Sequence, residues 1–572
     1  SDPDAALKQL FNDSDEASLK RNPIIALYRG DMRYAGELGD FYSDAHFAGE
    51  KAADEDALAK LAAIPRDRLT ATDQIAYDVF RRNTQLDLAS YQPDTLKIAE
   101  VMAVDHFTGL HIAYADLSSG QGAAPFKTVK DYDDALKRHD QYARQIDEAI
   151  MRFRQGLAEG LVEPRLVVNN VIDQLTMQID AGVEGSPYYG PIKAFPATIP
   201  AADQARLRAA YAAKIRDVIL PANTRLRDFL KADYLPHARE TVGLGALPGG
   251  QAYYRTLIEQ NTTLPLSADD VHTLGLNEVA RITKAMEATR QQIGFKGDLH
   301  ALFTVMRTDP RFAPKTKAQL RDGYFAIRDQ VMKRIPEQFS LVPKSKLDIR
   351  AEPDYKEKTS AGGEYMQGTP DGARPGVFFY NGYDLPSRYL WGMDTLFLHE
   401  AIPGHHFQIS LAQENTDLPA MMRFGGNTAY VEGWALYAES LWQQLGMERD
   451  PYQRMGGLSD EMLRAMRLVV DSGIHAKGWT RDQSIAYMLA NSPMSKTDAT
   501  AEVERYIAMP GQALAYKIGQ LTIQKEKDKA MAALGSKFDP RAFHAQVLGT
   551  GALPMTVLES KIDGWIATEK GK

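Results

Sequence analysis

Along most of this chain apolar residues recur at spacings of three and four with charged residues between them, the period of a helix that buries one face. The segments 133–160 and 267–294 follow that period, and Ser267 ahead of Asp269 and Asp270 predicts an N-terminal cap for the second. Residues 202–235 repeat it with an interruption at Pro221, which has no N–H to donate. Glycine and proline cluster at 183–200, 243–250 and 361–376, and these stretches are predicted loops. Strand-like runs are few. "GVFFYNGY" (376–383), aromatic and bounded by Gly/Pro-rich sequence, is the best, and "SKLDIRAEP" (345–353) is a weaker second. The pattern predicts a mainly α protein with one small β-sheet and its chemistry in the C-terminal half.

Composition narrows the possible partners and cofactors. With 572 residues the chain can build a large core. Its 44% hydrophobic and 25% charged content is that of a soluble globular protein. A net charge of −8 without a basic block gives nucleic acid nothing to bind. No run approaches the ~18 apolar residues of a membrane span. Cysteine is absent, so disulfides and thiolate ligands are excluded and any transition metal must be held by histidine and carboxylate. The chain opens "SDPDAALKQL" without methionine, which predicts that a leading segment, a targeting one among the options, has been removed.

The densest chemistry is "HEAIPGHH", residues 399–406, at the end of an apolar helix predicted over 392–402. In the zinc-protease signature His-Glu-x-x-His, two histidines four apart share one helix face and chelate a single ion. Here Pro403 stands where the second histidine belongs, and His405 and His406 follow six and seven residues after His399. On an unbroken helix His406 would return to the same face about 10 Å away, too far for bonds of about 2 Å. Pro403 collides with the carbonyl of His399, and Gly404 supplies backbone freedom. Looping out the "PG" pair restores "HEAIH". That predicts a two-residue bulge with His399 and His405 as ligands, His406 as the alternative, and Glu400 as the general base. A polar helix end is the plain alternative.

A catalytic zinc wants a third protein ligand and one open position. The predicted helix 427–446 supplies Glu432 and Glu439, two turns apart and so on one face, among Trp434, Leu436, Leu441 and Trp442. A buried carboxylate needs a partner. We therefore assign Glu432 as the third ligand and Glu439 as the group orienting a ligand histidine. Close backbone approach would account for Gly433, since glycine weakens a helix by about 1 kcal/mol relative to alanine.

"HEAIPGHH" followed by "YVEGWALYAE", "GIHAKGWTRDQSIAYM" and "EVERYIAMPGQALAYKIGQL" resembles the bacterial family known as domain of unknown function 885, most strongly from about 370 to 560. That family is similar to the helical gluzincin metallopeptidases of the angiotensin-converting enzyme, thimet oligopeptidase and carboxypeptidase Taq type. The resemblance implies a large helical fold with a deep cleft, residues 1–240 forming one wall and 241–572 the catalytic region. It also implies that histidine and tyrosine donors from the region after the glutamate helix steady an oxyanion. His475 and Tyr516 are the first choices. Asp471, four residues before His475, is placed to fix the imidazole tautomer. Arg505 would bind a substrate carboxylate, beside Tyr506. An edge strand at Phe379, Tyr380 and Asn381 would let a peptide add by backbone pairing.

These readings predict a peptidase with one Zn2+ per chain. Two alternatives stand beside it: a non-haem iron enzyme using the same two histidines and carboxylate, and a metal-free helical peptide-binding protein. The family resemblance also predicts an extracytoplasmic protein, periplasmic or a lipoprotein with a lipid anchor on the full-length form; a cytoplasmic one is the alternative.

Overall fold

A computed structural model describes residues 2–352, 357, 361–370, 372 and 375–572. Pro353, at the end of the weaker expected strand, and Asp371, Ala373 and Arg374, within the expected loop 361–376, lie outside the described residues. The fold is mainly helical, with one three-stranded sheet among the described residues.

The periodic segments form the helices they predict. Val129–Glu159 runs from a Thr128 cap to Gly160, whose φ of 73° ends it in the left-handed region that favours glycine. Ala268–Ile293 starts at Ser267, whose side chain accepts from the Asp270 N–H while Asp270 accepts from the Ser267 N–H, both at 3.0 Å. Pro221 does not break its segment. After the helix Ala201–Lys214 the chain widens into a π turn over Ile215–Ile219 and continues as the helix Leu220–Phe229. The wider turn takes up the missing N–H and the bulk of the ring.

The core runs across the length of the chain. Leu7, Leu10, Phe11, Leu61 and Phe80 from the first helices are buried in one cluster with Phe397, Leu398, Trp434, Tyr437 and Ile562. A second cluster, with Tyr114, Tyr142, Phe153 and Tyr188, is built within residues 27–238. A third gathers Met462, Met466, Val469 and Ile474 around the long helix Pro451–Lys477.

The sheet departs from expectation. Its strands are β1 (Leu347–Ala351), β2 (Gly363–Met366) and β3 (Gly376–Tyr380), in the order β1-β3-β2. β1 pairs parallel to β3 and β2 antiparallel to it. β2 forms inside the segment expected to be a loop, because pairing with β3 supplies what its short, glycine-led sequence lacks. β3 is thus the central strand, and its backbone is used on both sides. The expected peptide addition at Phe379, Tyr380 and Asn381 is therefore corrected. Tyr380 is buried against Tyr324, and the buried Asn381 amide donates to the carbonyls of Glu357 and Ala361. Phe378 packs edge-on against Phe397, so the sheet braces the helix that carries His399.

Candidate metal centre

The histidine helix, Met393–Glu400, sends Phe397 and Leu398 into the core and stops at Glu400. Ala401 leaves helical geometry at φ −110°, ψ −102°, the Ile402–Pro403 peptide is cis, and a new helix, His405–Glu414, begins two residues later. Gly404 lies so close to the preceding turn that a Cβ would sit 1.9 Å from the His399 carbonyl oxygen and 2.4 Å from that of Leu398. Only glycine fits there. The break is held from outside: the buried Trp434 indole N–H donates to the Pro403 carbonyl at 2.8 Å, and the His406 N–H to the Ala401 carbonyl at 3.1 Å.

This loop brings His405 to His399, with ring centroids 4.9 Å apart and planes perpendicular. His406 turns away. Its Nε2–H donates to the Ser345 carbonyl at 3.1 Å, and its Nδ1 accepts from the Tyr365 hydroxyl at 2.7 Å, tying the second helix to the sheet.

Glu432 comes from the helix Thr428–Glu439, whose close packing on Ala515–Leu534 depends on glycines. A Cβ on Gly433 would lie 2.6 Å from the Gly519 backbone. His399 Nε2 is 3.2 Å from one Glu432 oxygen and His405 Nε2 is 3.5 Å from the other. Glu400 is 3.9 Å from each of these nitrogens. His399 Nδ1–H donates to Glu439 at 2.9 Å, and Arg464 stands 4.0 Å behind Glu439.

The donor set fits zinc. Tetrahedral zinc with bonds of about 2.0–2.1 Å sets its ligand atoms roughly 3.3 Å apart. His399, Glu400 and His405 offer donor atoms all within 4.8 Å of one another. Glu432, at 3.2 and 3.5 Å from the two Nε2 atoms, matches the ligand spacing more closely than Glu400 at 3.9 Å. Both carboxylates keep about a fifth of their side chains exposed (20% and 21%), so solvent reaches the cluster.

The electrostatics are those of imidazoles held by carboxylates. Burial opposes charge on His399, but its bonds to Glu432 and Glu439 raise it to about 10. Burial would raise Glu432, yet the two imidazoles hold it well below the usual carboxylate range. Glu400 is pushed up by burial, only partly offset by His399 and His405. A carboxyl moved up from its ordinary value is a better proton acceptor in mechanism than an exposed one.

The downstream candidates divide. The buried His475 donates from Nε2 to the Tyr506 carbonyl at 2.8 Å and accepts at Nδ1 from the Leu244 N–H at 3.1 Å. Both nitrogens are therefore committed, and burial lowers its pKa to about 4. Asp471 does not touch His475; it accepts from the Tyr254 hydroxyl and the Gly511 N–H. The Tyr506 hydroxyl donates to Glu502. Arg505 donates to Gln512 at 2.8 Å and lies 3.4 Å from the Tyr516 hydroxyl. The half-buried Tyr516 ring lies under Arg467 at 4.7 Å. His475, Asp471 and Tyr506 thus form a packing network, while Tyr516 stands in the arginine group that includes Arg464, behind Glu439.

Sequence reasoning missed Arg464. Its signal was there: Arg464 and Arg467, three apart, interrupt an apolar run on a buried helix. Also missed was a cavity of about 290 Å3 beside Glu432, lined by Gln408, Gln413, Arg423, Thr428 and Val431. No motif marks it.

Comparison with known proteins places this geometry in context. Residues 23–562 match the family described as "Bacterial protein of unknown function (DUF885)". No curated protein matches the chain. Among solved structures it is similar to a "putative lipoprotein" from Colwellia psychrerythraea, at 28% identity over 99% of this chain and 100% of that one, with a TM-score of 0.91. It also shares its fold with a "putative lipoprotein of unknown function" from Shewanella oneidensis, at 18% identity over 97% and 99% of the two chains, with a TM-score of 0.73.

Proposed function

This chain belongs to the DUF885 family of bacterial proteins, and from that starting point we propose that it is a zinc-dependent peptidase. One observation carries the reading: two perpendicular imidazoles converge on the Glu432 carboxylate with a second carboxylate, Glu400, 3.9 Å from both. His399, His405 and Glu432 would hold the ion. Zinc bound there would act as a Lewis acid, acidifying a water and polarising the scissile carbonyl. Glu400 takes the proton from the attacking water and passes it to the leaving amine. Glu439 keeps His399 in the tautomer that presents Nε2, with Arg464 4.0 Å behind it. The resemblance of "HEAIPGHH" and the glutamate helix after it to the helical gluzincin peptidases supports the same roles.

The test joins metal analysis with turnover. Protein purified without chelator is expected to carry one zinc per chain, where iron would favour the oxygenase alternative. On a peptide library at matched zinc occupancy, Glu400→Gln is expected to keep its zinc and lose about 10²–10⁴-fold in rate. Equal rates would remove Glu400 from the mechanism. A wild type that binds peptides without metal or turnover would replace the proposal with the binding-protein alternative. The "putative lipoprotein" names of the two similar structures support an extracytoplasmic, lipid-anchored or periplasmic location, which fractionation of the native cells tests. Among the described residues no helix is long and apolar enough to cross a membrane.

A further inference from the structure

We infer that the cavity beside Glu432 is a carboxylate-binding subsite for the residue on the leaving side of the scissile bond, an inference that rests on the peptidase reading. The cavity shares Glu432 with the metal cluster, so a group seated in it lies next to the reacting centre. Its volume of about 290 Å3 lies just under the ~300–1,000 Å3 range of ligand pockets, room for about one residue.

Its charges select an anion. Among the described residues that line it, only Glu432 and Arg423 are charged. Glu432 is already engaged by two imidazoles, at 3.2 and 3.5 Å. Arg423 has no carboxylate partner among the described residues. Its Nε–H and one Nη2–H both donate to the Gln413 carbonyl, at 3.2 and 2.7 Å, which fixes the plane of the guanidinium and leaves Nη1 for a ligand. The guanidinium also rests on the Phe424 ring, 5.0 Å from its centroid. A fixed, unpaired guanidinium is the group that recognises a carboxylate. Thr428, the first residue of the helix Thr428–Glu439, lines the same wall and brings the positive end of that helix to it.

A second, independent group completes the site. Gln408 lines the cavity, is 2% exposed, and its Oε1 has no hydrogen-bond partner among the described residues. A buried amide oxygen without a donor is costly, and a substrate N–H would satisfy it. Guanidinium for a carboxylate and amide oxygen for an N–H describe one amino-acid residue, bearing its charge either as a terminal carboxylate or as an acidic side chain.

Calorimetric titration separates these sources and separates binding from turnover. The probes are N-acetyl dipeptides ending in alanine, as free acid and as amide, and an N-acetyl dipeptide amide ending in glutamate. They are titrated into zinc-loaded Glu400→Gln protein, which is expected not to cleave them. The carboxylate-bearing probes are expected to bind about 10- to 100-fold tighter than the neutral amide. Arg423→Gln is expected to erase that preference without changing affinity for the amide, and Arg423→Lys to keep part of it. A preference for the free acid alone assigns the subsite to a terminal carboxylate and the enzyme to C-terminal cleavage. A preference for the glutamyl amide alone assigns it to an acidic side chain, and equal preference for both shows that the guanidinium takes either carboxylate. Acid and amide binding alike, or a preference that survives Arg423→Gln, overturns the inference. The first comparison needs no change at Arg423, so a poorly folding variant does not block it. If wild type cleaves no peptide but the Arg423-dependent preference stands, the peptidase reading falls and the carboxylate site remains.

Discussion

His399 and His475 are both buried histidines, and their partners give them opposite chemistry. His399 meets two carboxylates and is raised to about 10; His475 meets one N–H and one carbonyl, and burial lowers it to about 4. His475 is therefore a neutral strut between Leu244 and Tyr506. Replacing it with alanine leaves a buried N–H and a buried carbonyl unpaired, a loss of about 1–3 kcal/mol for each group, while turnover per folded molecule is expected to hold. The loss should depend on pH. An unfolded histidine titrates near 6.5 and the folded one near 4, so the unfolded chain binds the extra proton first as pH falls. The wild-type imidazole thus contributes fully above about pH 6.5 and progressively less toward pH 4. Denaturant melts should show the cost of His475→Ala shrinking by about 2 kcal/mol between pH 7 and pH 5, at 1.36 kcal/mol per pH unit. A cost that does not change with pH would mean that His475 is not held neutral. The sequence placed Asp471 and His475 one turn apart but could not reveal that Leu244, 231 residues distant, would claim the ring. In "HEAIPGHH" the helix break was legible for the converse reason, since the Pro-Gly pair states locally where the helix must end.

At the scale of elements, regular helices were readable because their period and caps are local properties, as at Ser267. β2 was not, because four residues beginning with glycine become a strand only by pairing with β3. Between these extremes lies Gly433, where a helix-weakening residue in an apolar helix signalled close approach and the neighbour is Gly519 on Ala515–Leu534. A Cβ on Gly519 would sit 1.9 Å from the Ala429 carbonyl oxygen and 2.8 Å from the Gly433 Cα. Gly519→Ala gains up to about 1 kcal/mol in helix propensity but forces two packed backbones apart, and overpacking of this kind costs about 1–3 kcal/mol or more. The net effect should be destabilising, with weaker metal binding because Glu432 adjoins Gly433. Gly564, in the helix Met555–Lys570, has nothing within 4 Å of the same added carbon. Gly564→Ala should therefore stabilise by up to about 1 kcal/mol. Equal effects at both sites in thermal melts would show that helix propensity, not contact, governs the pair.

At the scale of the whole molecule, the proposed ligands come from three helices whose side chains are buried together with those of the first helices of the chain. Phe397, Phe407 and Trp434 share one core with Leu7, Leu10 and Phe80. An ion held by His399, His405 and Glu432 would join elements that this core already couples, so its removal should be felt as a loss of global stability rather than a local loosening. Ligand at 100 times its dissociation constant adds about 2.7 kcal/mol, which for a chain of this length is a midpoint shift of a few degrees at most. Chelator should therefore lower the thermal midpoint of zinc-loaded wild type by that amount. His405→Ala should melt identically with and without chelator, having lost a ligand. His406→Ala should melt lower, because the hydrogen bonds to the Ser345 carbonyl and from the Tyr365 hydroxyl are lost, yet keep its chelator response because it binds no metal. If instead His406→Ala loses the response and His405→Ala keeps it, the loop carries the other imidazole to the ion. A zinc-loaded wild type with no response at all would uncouple the metal from the fold, and the three helices would have to be held by their apolar packing alone.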